Sequence, residues 1–276
     1  MISALDRYNN VTQRVITGTV GIMAIVFAVY NGEWTYFALF FGICGLTQLE
    51  FYKLTGLDGM LPLKSVGTFT GLLIFTVSFL VERGTIDASY YLLVFPAMAS
   101  IFFIKLYKKS DKKPFTNIAF TLCGIIYVAV PFALLNLIAF SGSMYSFQIV
   151  LGILSLFWAS DTGAYFAGVR FGRRQLFARV SPKKSWEGSI GGAITALVTA
   201  LLLSYFYTDL PAWEWIIVGA IIVVTGTYGD LVESLFKRSI AIKDSGKGLP
   251  GHGGFLDRFD GLLLASHFIV IFLKFF

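Results

Sequence analysis

Charge is scarce in this chain. Of its 276 residues only 14% are Asp, Glu, Lys or Arg, while 56% are hydrophobic and 17% aromatic. A water-soluble domain carries about 25% charged residues because its surface must face water, so a soluble globular domain is excluded. The mean hydropathy of +0.74 excludes a disordered chain as well. Cysteine is nearly absent. Cys44 and Cys123 are the only two, and both fall inside apolar runs, where a thiol behaves as a small hydrophobe. A disulfide scaffold or a thiolate metal site is therefore not expected. Low-complexity tracts and an evident internal repeat are lacking. So are the alternating segments of about ten residues that a transmembrane barrel would show.

What remains is a series of long apolar runs. Measured against the roughly 20 residues that a spanning helix needs, runs at 15–30, 34–51, 66–81, 90–107, 115–140, 147–166, 190–207, 213–232 and 259–276 predict nine spans. The expected fold is an all-α, polytopic transmembrane helix bundle. The first run follows Arg7 and Arg14 but has no small-x-small cleavage site before Asn31-Gly32-Glu33, so it is read as a retained span.

The formal net charge is +6, and 20 of the 22 Lys and Arg lie in alternate polar segments. Those segments hold Arg7 and Arg14, Lys53 and Lys64, the lysines from Lys105 to Lys113, the bases from Arg170 to Lys184, and those from Lys237 to Arg258; only Arg83 and Lys274 lie on the other side. Short basic loops stay in the cytoplasm, so the N-terminus and the long basic loops are expected there. The largest basic tract, Lys105-Leu-Tyr-Lys-Lys-Ser-Asp-Lys-Lys113, reads as a solvated flank attracted to anionic headgroups at about 1 kcal/mol per charge. On that reading Asp111 has no role.

Residues 1–140 are expected to form N-terminal membrane helices, about five spans, and residues 141–276 a catalytic half, because acids, bases and glycines gather there in three clusters. The first is Trp158-Ala-Ser-Asp-Thr-Gly-Ala-Tyr165, which puts Asp161 within or at the end of a span, where an ionised carboxylate is costly without a partner. The second is Ser181-Pro-Lys-Lys-Ser-Trp-Glu-Gly188, followed by Ser189-Ile-Gly-Gly192. Its lysines, hydroxyls and helix-opening glycines suit a phosphate. Equally, lysines flank any cytoplasmic helix end, and Gly188-x-x-x-Gly192 fits a helix-packing face.

The third cluster is the densest: Gly229-Asp-Leu-Val-Glu-Ser-Leu-Phe-Lys-Arg238, Lys243-Asp244, Gly251-His-Gly-Gly254 and Asp257-Arg-Phe-Asp260. On a helix Asp230, Glu233, Ser234 and Lys237 share one face, and Asp257 and Asp260 share another. Carboxylates from two helices suit a hard divalent cation that takes further ligands from substrate phosphates. Surface salt bridges would explain those charges but not the stretch 246–254, where five of nine residues are glycine; glycine lets backbone approach a phosphate chain closely. There is no G-x-x-x-x-G-K-[ST], so no Walker loop is expected. His252 suits a phosphate oxygen or a turn, and His267 reads as a packed histidine.

The run from Ser234-Leu-Phe-Lys-Arg238 through Lys243-Asp-Ser-Gly246 and Leu249-Pro-Gly-His-Gly-Gly-Phe-Leu-Asp-Arg-Phe-Asp260, 27 residues in all, resembles position by position the signature of the phosphatidate cytidylyltransferases, or CDP-diacylglycerol synthases. Trp158-x-x-Asp161-x-x-Ala-Tyr165 and Ser181-Pro-Lys-Lys-Ser-Trp-Glu-Gly188 are similar to that family too. The motif resemblance thus covers about residues 158–260. Ser185 stands where threonine is expected, a departure that preserves the hydroxyl.

The resemblance implies that CTP and phosphatidate give CDP-diacylglycerol and pyrophosphate for phospholipid synthesis. It implies Mg²⁺, with K⁺ beside it, and a homodimer; no nucleic acid is involved. With the placement of Lys and Arg, the expected location is the cell inner (cytoplasmic) membrane with the active site on the cytoplasmic side. By carry-over Asp230 and Asp257 hold the metal, with Asp260 or Glu233 in support. Ser181, Lys183, Lys184, Lys237, Arg238 and Lys243 bind the triphosphate or the lipid phosphate, with His252, Gly253, Gly254 and Arg258 beside them. Asp161 and Lys237 join the two metal acids as the catalytic set. A CTP-dependent lipid kinase would use similar parts but release CDP. An ion-coupled transporter using Asp161 and Asp230 would leave the His-Gly-Gly and Ser-Pro-Lys-Lys elements without a task.

Overall fold

The computed structural model of the chain describes residues 10–57, 59–109, 111–142, 144–242, 245–246 and 253–276. Among these, the predicted apolar runs coincide with nine helical runs. They are α1 (Asn10–Tyr30), α2 (Glu33–Leu57) and α3 (Lys64–Glu82); α4 (Ala88–Tyr107) and α5 (Pro114–Ala139); α6 (Phe147–Phe171) and α7 (Trp186–Phe206); α8 (Ala212–Ser239) and α9 (Leu256–Phe275). The six from α3 to α8 are long and apolar enough to cross a membrane. Their outer faces suit that setting. Phe69, Phe95 and Phe103 are 65%, 65% and 64% exposed, which lipid accommodates without the cost that water would impose. The fold is that of an all-α, multi-pass membrane protein.

The helices start and bend for identifiable reasons. Ser146 and Ser185 cap α6 and α7, their hydroxyls accepting from the N–H of Ile149 at 3.1 Å and of Gly188 at 3.1 Å. Pro114 opens α5, where its missing N–H costs nothing. Pro131 lies inside α5, where it can donate no ladder bond, and a π turn at Ile125–Ala129 just precedes it. A second π turn, Ile222–Gly226, interrupts α8.

Two compact units divide the chain: the described residues of Met1–Asn136 with Ile240–Phe259, and Leu137–Ser239 with Asp260–Phe276. In the first, Tyr36, Phe40, Phe51, Tyr52, Phe75 and Phe132 are fully buried or nearly so. The Tyr52 ring fills a slot with Gly67 on one side and Gly124 on the other. A Cβ on either would come within 2.2 or 2.4 Å of the ring or its hydroxyl, and that hydroxyl donates to the Thr121 carbonyl at 2.7 Å. Tyr36 donates to Asn136 at 3.0 Å, and Asn136 donates to the Phe75 carbonyl at 3.0 Å and Ser78 at 2.7 Å. Polar groups in this interior are thus satisfied between helices, as hydrocarbon surroundings demand.

One expectation fails here. Lys105 and Asp111 are not part of a solvated flank: they pair with each other, with both side chains 1% exposed. Lys105 also donates to the Leu61 carbonyl at 2.6 Å, and Asn117 donates to Asp111 at 2.7 Å while accepting from the Leu61 N–H at 2.7 Å. A buried ammonium with few partners is costly, and this network supplies them. It pins the α2–α3 connection to the ends of α4 and α5.

In the second unit the fully buried Trp215 of α8 lies over Gly152 of α6, whose Cβ would come within 2.1 Å of the indole. Helices α6 and α7 pack backbone to backbone along a glycine face. A Cβ on Gly191 would meet Ala167 at 2.2 Å, and one on Gly192 the Ser160 carbonyl at 2.8 Å. Gly188 and Gly192 thus lie on the helix-packing face that their spacing fits, and the Gly188 N–H donates to Ser185. A short antiparallel strand pair, β1 (Gln175–Phe177) and β2 (Ser181–Ser185), precedes α7. Glu187 accepts from the N–H of Arg173 at 3.0 Å and Arg174 at 3.2 Å, which fastens the strand pair to the first turn of α7.

Candidate active site

Glycine also sets the meeting of α8 and α9 in the second unit. A Cβ on Gly229 would stand 2.5 Å from the Asp260 carbonyl oxygen and 2.9 Å from the Gly261 Cα, and one on Gly261 would reach Gly226 at 3.5 Å. With hydrogen in those places the two backbones approach closely enough for their acids to converge. Asp230, Glu233 and Asp260 each offer an oxygen, and these oxygens lie within 4.8 Å of one another.

Each acid is held in place. The Ser234 hydroxyl donates to Asp230 Oδ1 at 3.2 Å, one turn along the same helix face. Glu233 is buried and pairs with Lys237 at 2.6 Å. Asp260 Oδ1 accepts from the Gly261 N–H at 2.7 Å. From β2, Lys184 Nζ reaches Asp230 Oδ2 at 2.5 Å. Asp161 is exposed on α6, and its charge, with those of Asp230 and Lys184, acts on Asp260. Residues far apart in sequence, from the Ser-Pro-Lys-Lys strand and from two helices, thus meet at one point.

An oxygen-only donor set of this charge fits a hard divalent cation. Asp230, Glu233 and Asp260 are the residues that would hold such an ion. The Lys184 and Lys237 ammoniums are positive charges on this set in the structure.

The first unit holds the other part of the signature. Asp257, in the first turn of α9, accepts from the N–H of Ser245 at 3.2 Å and of Gly254 at 3.0 Å, and Gly253 adopts φ +82°, a conformation that favours glycine. Glu50 of α2, which the sequence reading passed over, accepts from the Phe255 N–H at 2.9 Å and from the Ser245 hydroxyl. It carries the signal used for Asp161: a carboxylate inside a predicted span.

Of the remaining predicted residues, Lys183, Arg238 and Arg258 are exposed and Ser181 is half-buried. Lys243 and His252 lie outside the described residues. A groove of about 820 Å³ between α6 and α7, lined by Trp158, Phe166, Ile194 and Thr195 among others, has Arg170 among its walls.

Comparison with known proteins gives the chain a family. The profile of the cytidylyltransferase family matches residues 12–276. A phosphatidate cytidylyltransferase of Haemophilus influenzae is 35% identical over 281 aligned residues, covering 94% of this chain and 97% of that protein. One of Staphylococcus haemolyticus is 34% identical over 216 residues, covering 78% of this chain and 82% of the relative. With the match running through the acids of α8 and α9, the strand that brings Lys184 and nearly all the spans before them, the chain belongs to the cytidylyltransferase family.

Proposed function

We infer that this chain transfers the cytidylyl group of CTP to phosphatidate, releasing pyrophosphate and leaving CDP-diacylglycerol in the membrane. The observation that carries the reading is the convergence of Lys184 with Asp230, Glu233 and Asp260. It gathers a phosphate-binding base and a cation-holding acid set, which are the two things a reaction between polyanions requires. The relatives of this length are phosphatidate cytidylyltransferases by name.

The lipid phosphate is already anionic at neutral pH, so it can attack the α-phosphorus of CTP without a strong general base. The task left to the protein is positioning and neutralisation. Asp230, Glu233 and Asp260 would hold Mg²⁺, and Asp257 is proposed as a further ligand on the strength of the sequence. When bound, Mg²⁺ would supply positive charge to neutralise the reacting phosphates. A monovalent cation, K⁺, is proposed beside it. Lys183 and Lys184 grip the triphosphate from β2 with the Ser181 hydroxyl near them. Lys237, against Glu233, balances the acid set. Arg238, Lys243, His252, Gly253, Gly254 and Arg258 complete the phosphate contacts, and Asp161 adds to the field at Asp260.

The proposal includes nine crossings with a cytoplasmic N-terminus in the cell inner membrane, supported by the uneven placement of Lys and Arg. CTP then enters from the cytoplasm while the acyl chains stay in lipid. A homodimer and the division of labour between residues 1–140 and 141–276 belong to the same reading. The deciding experiment uses CTP labelled at either end with purified protein, phosphatidate and Mg²⁺. The α-phosphorus should appear in the lipid and the γ-phosphorus in water as pyrophosphate. Label entering lipid only from the γ position would show a kinase and end this reading.

A further inference from the structure

We propose that Glu50 is a positioning residue for the reaction: its carboxylate fastens both described ends of the glycine-rich signature segment to helix α2. The proposal rests on the cytidylyl-transfer reading for its functional half and on geometry for its structural half. Glu50 lies near the end of α2, some 195 residues before the segment it holds. Its Oε2 accepts from the Phe255 N–H at 2.9 Å, and its Oε1 from the Ser245 hydroxyl and, at 3.4 Å, from the Leu256 N–H.

These donors are what a carboxylate is suited to satisfy. Phe255 and Leu256 stand at the start of α9, where backbone N–H groups have no partner within the helix, and a negative charge there is favoured by the helix dipole. Ser245 lies on the far side of the glycine-rich stretch. One carboxylate thus joins the entrance and exit of that stretch, while Asp257 joins Ser245 to Gly254 through their N–H groups.

The approach also explains a glycine. A Cβ on Gly254 would stand 1.7 Å from Glu50 Oε1 and 2.2 Å from the Ser245 hydroxyl. Gly254 is buried, so the space its missing side chain leaves is filled by Glu50. The missing side chain at Gly254 is therefore what lets Glu50 approach the segment.

The test uses the purified full-length chain, with turnover read from α-labelled CTP and backbone hydrogen exchange read over residues 245–257. Glu50→Ala should lower kcat on the order of 10²-fold, the cost of a displacement of roughly 1 Å in a positioned group. It should also speed exchange at Phe255 and Leu256 without altering α6 and α7. Glu50→Gln, which keeps an acceptor oxygen for the Phe255 N–H, should recover a substantial part of the loss. Gly254→Ala should be far less damaging in the Glu50→Ala background than alone, because the clash with Glu50 is then gone and the Ser245 hydroxyl, no longer held by Glu50, can rotate away. Asp111→Ala serves as the control for instability: it should lower the melting temperature at least as much while leaving turnover per folded molecule within about twofold. Turnover of Glu50→Ala within twofold of wild type would overturn the proposal, as would additive effects of the Glu50 and Gly254 changes, or unchanged exchange at Phe255 and Leu256. Failure of the wild-type chain to transfer α-label would instead sink the functional reading, and the exchange comparison would still decide whether Glu50 holds the segment.

Discussion

The ammonium of Lys184, on the short strand before α7, stands 2.5 Å from Oδ2 of Asp230 on α8. Both side chains are partly exposed, so the pair is weak and easily exchanged. On the proposed reading, a divalent cation held by Asp230 would displace Lys184, whose ammonium would then be available to a triphosphate.

Lys184→Ala should therefore have two opposite effects. The CTP concentration needed for half-maximal activity should rise about tenfold or more, as for the loss of a charge-assisted hydrogen bond. The Mg²⁺ concentration needed should fall, because the competing ammonium is gone. Mn²⁺ titration of the purified protein, followed by its paramagnetic resonance, reads the second effect without turnover. Weaker Mn²⁺ binding in the variant would contradict the exchange.

Gly229→Ala tests the crossing itself. The added methyl meets backbone, the Asp260 carbonyl at 2.5 Å, which has no flexible end to move aside. The helices must part, and Asp230 must leave Asp260. Helical content by circular dichroism should be unchanged while turnover drops by on the order of 10²-fold. Full activity would mean that the acids need not converge.

Asp260→Asn and Asp257→Asn keep size and one acceptor but remove a negative charge. Each should reduce turnover by orders of magnitude with normal membrane insertion. If the three clustered acids hold the cation, Asp260→Asn should also weaken Mn²⁺ binding measurably. Turnover near wild type for Asp257→Asn would remove that residue from the proposed ligand set.

Lys105→Met should destabilise the protein by about 3–5 kcal/mol, the usual cost of leaving one member of a buried pair alone. Hydrogen bonding from Lys105 holds the Asp111 carboxyl below its ordinary value of 3.8. A carboxyl depressed on folding adds stability above its unfolded value and loses it as pH falls through the folded one. The melting temperature should thus decline below about pH 4 more steeply in the wild type than in Asp111→Asn. Identical acid limbs would show that the pair adds nothing.

Topology can be read with an impermeant thiol reagent on intact spheroplasts, in a background lacking Cys44 and Cys123. Cysteine at Met144, exposed between α5 and α6, should be labelled from outside, and cysteine at Lys109, between α4 and α5, should not. The reverse pattern would invert the proposed orientation.

The sequence made the helices readable because a run of apolar residues can do little else in lipid. Helix ends were less readable: α6 continues to Phe171 and α7 begins at Trp186, since polar flanks stay helical when capped by Ser185 or shielded by neighbours. The acid face of Asp230, Glu233 and Lys237 was legible from helical spacing alone. Its meeting with Lys184 was not, because the strands that carry the lysine are only three and five residues long and one contains Pro182. Lys105 and Asp111 were misread because a tract of like charges looks solvated. Only the return of Leu61 and Asn117 gives them partners. Glu50 was legible as a carboxylate inside a predicted span, but its partners were not, because they are mostly backbone N–H groups that no sequence motif announces.

The π turn at Ile222–Gly226 means that the two ends of α8 are out of phase. Each residue of a regular helix advances the wheel by about 100°, and a π turn accommodates one residue without that advance. A wheel drawn from the buried anchor Trp215 therefore misplaces Asp230 by roughly a quarter turn. Deleting one residue within 222–226 would restore regular winding and leave both ends facing as they do now. Deleting one between Thr227 and Asp230 would swing the carboxylate away from Asp260. Alignments of relatives should consequently tolerate a one-residue gap in the first segment and none in the second.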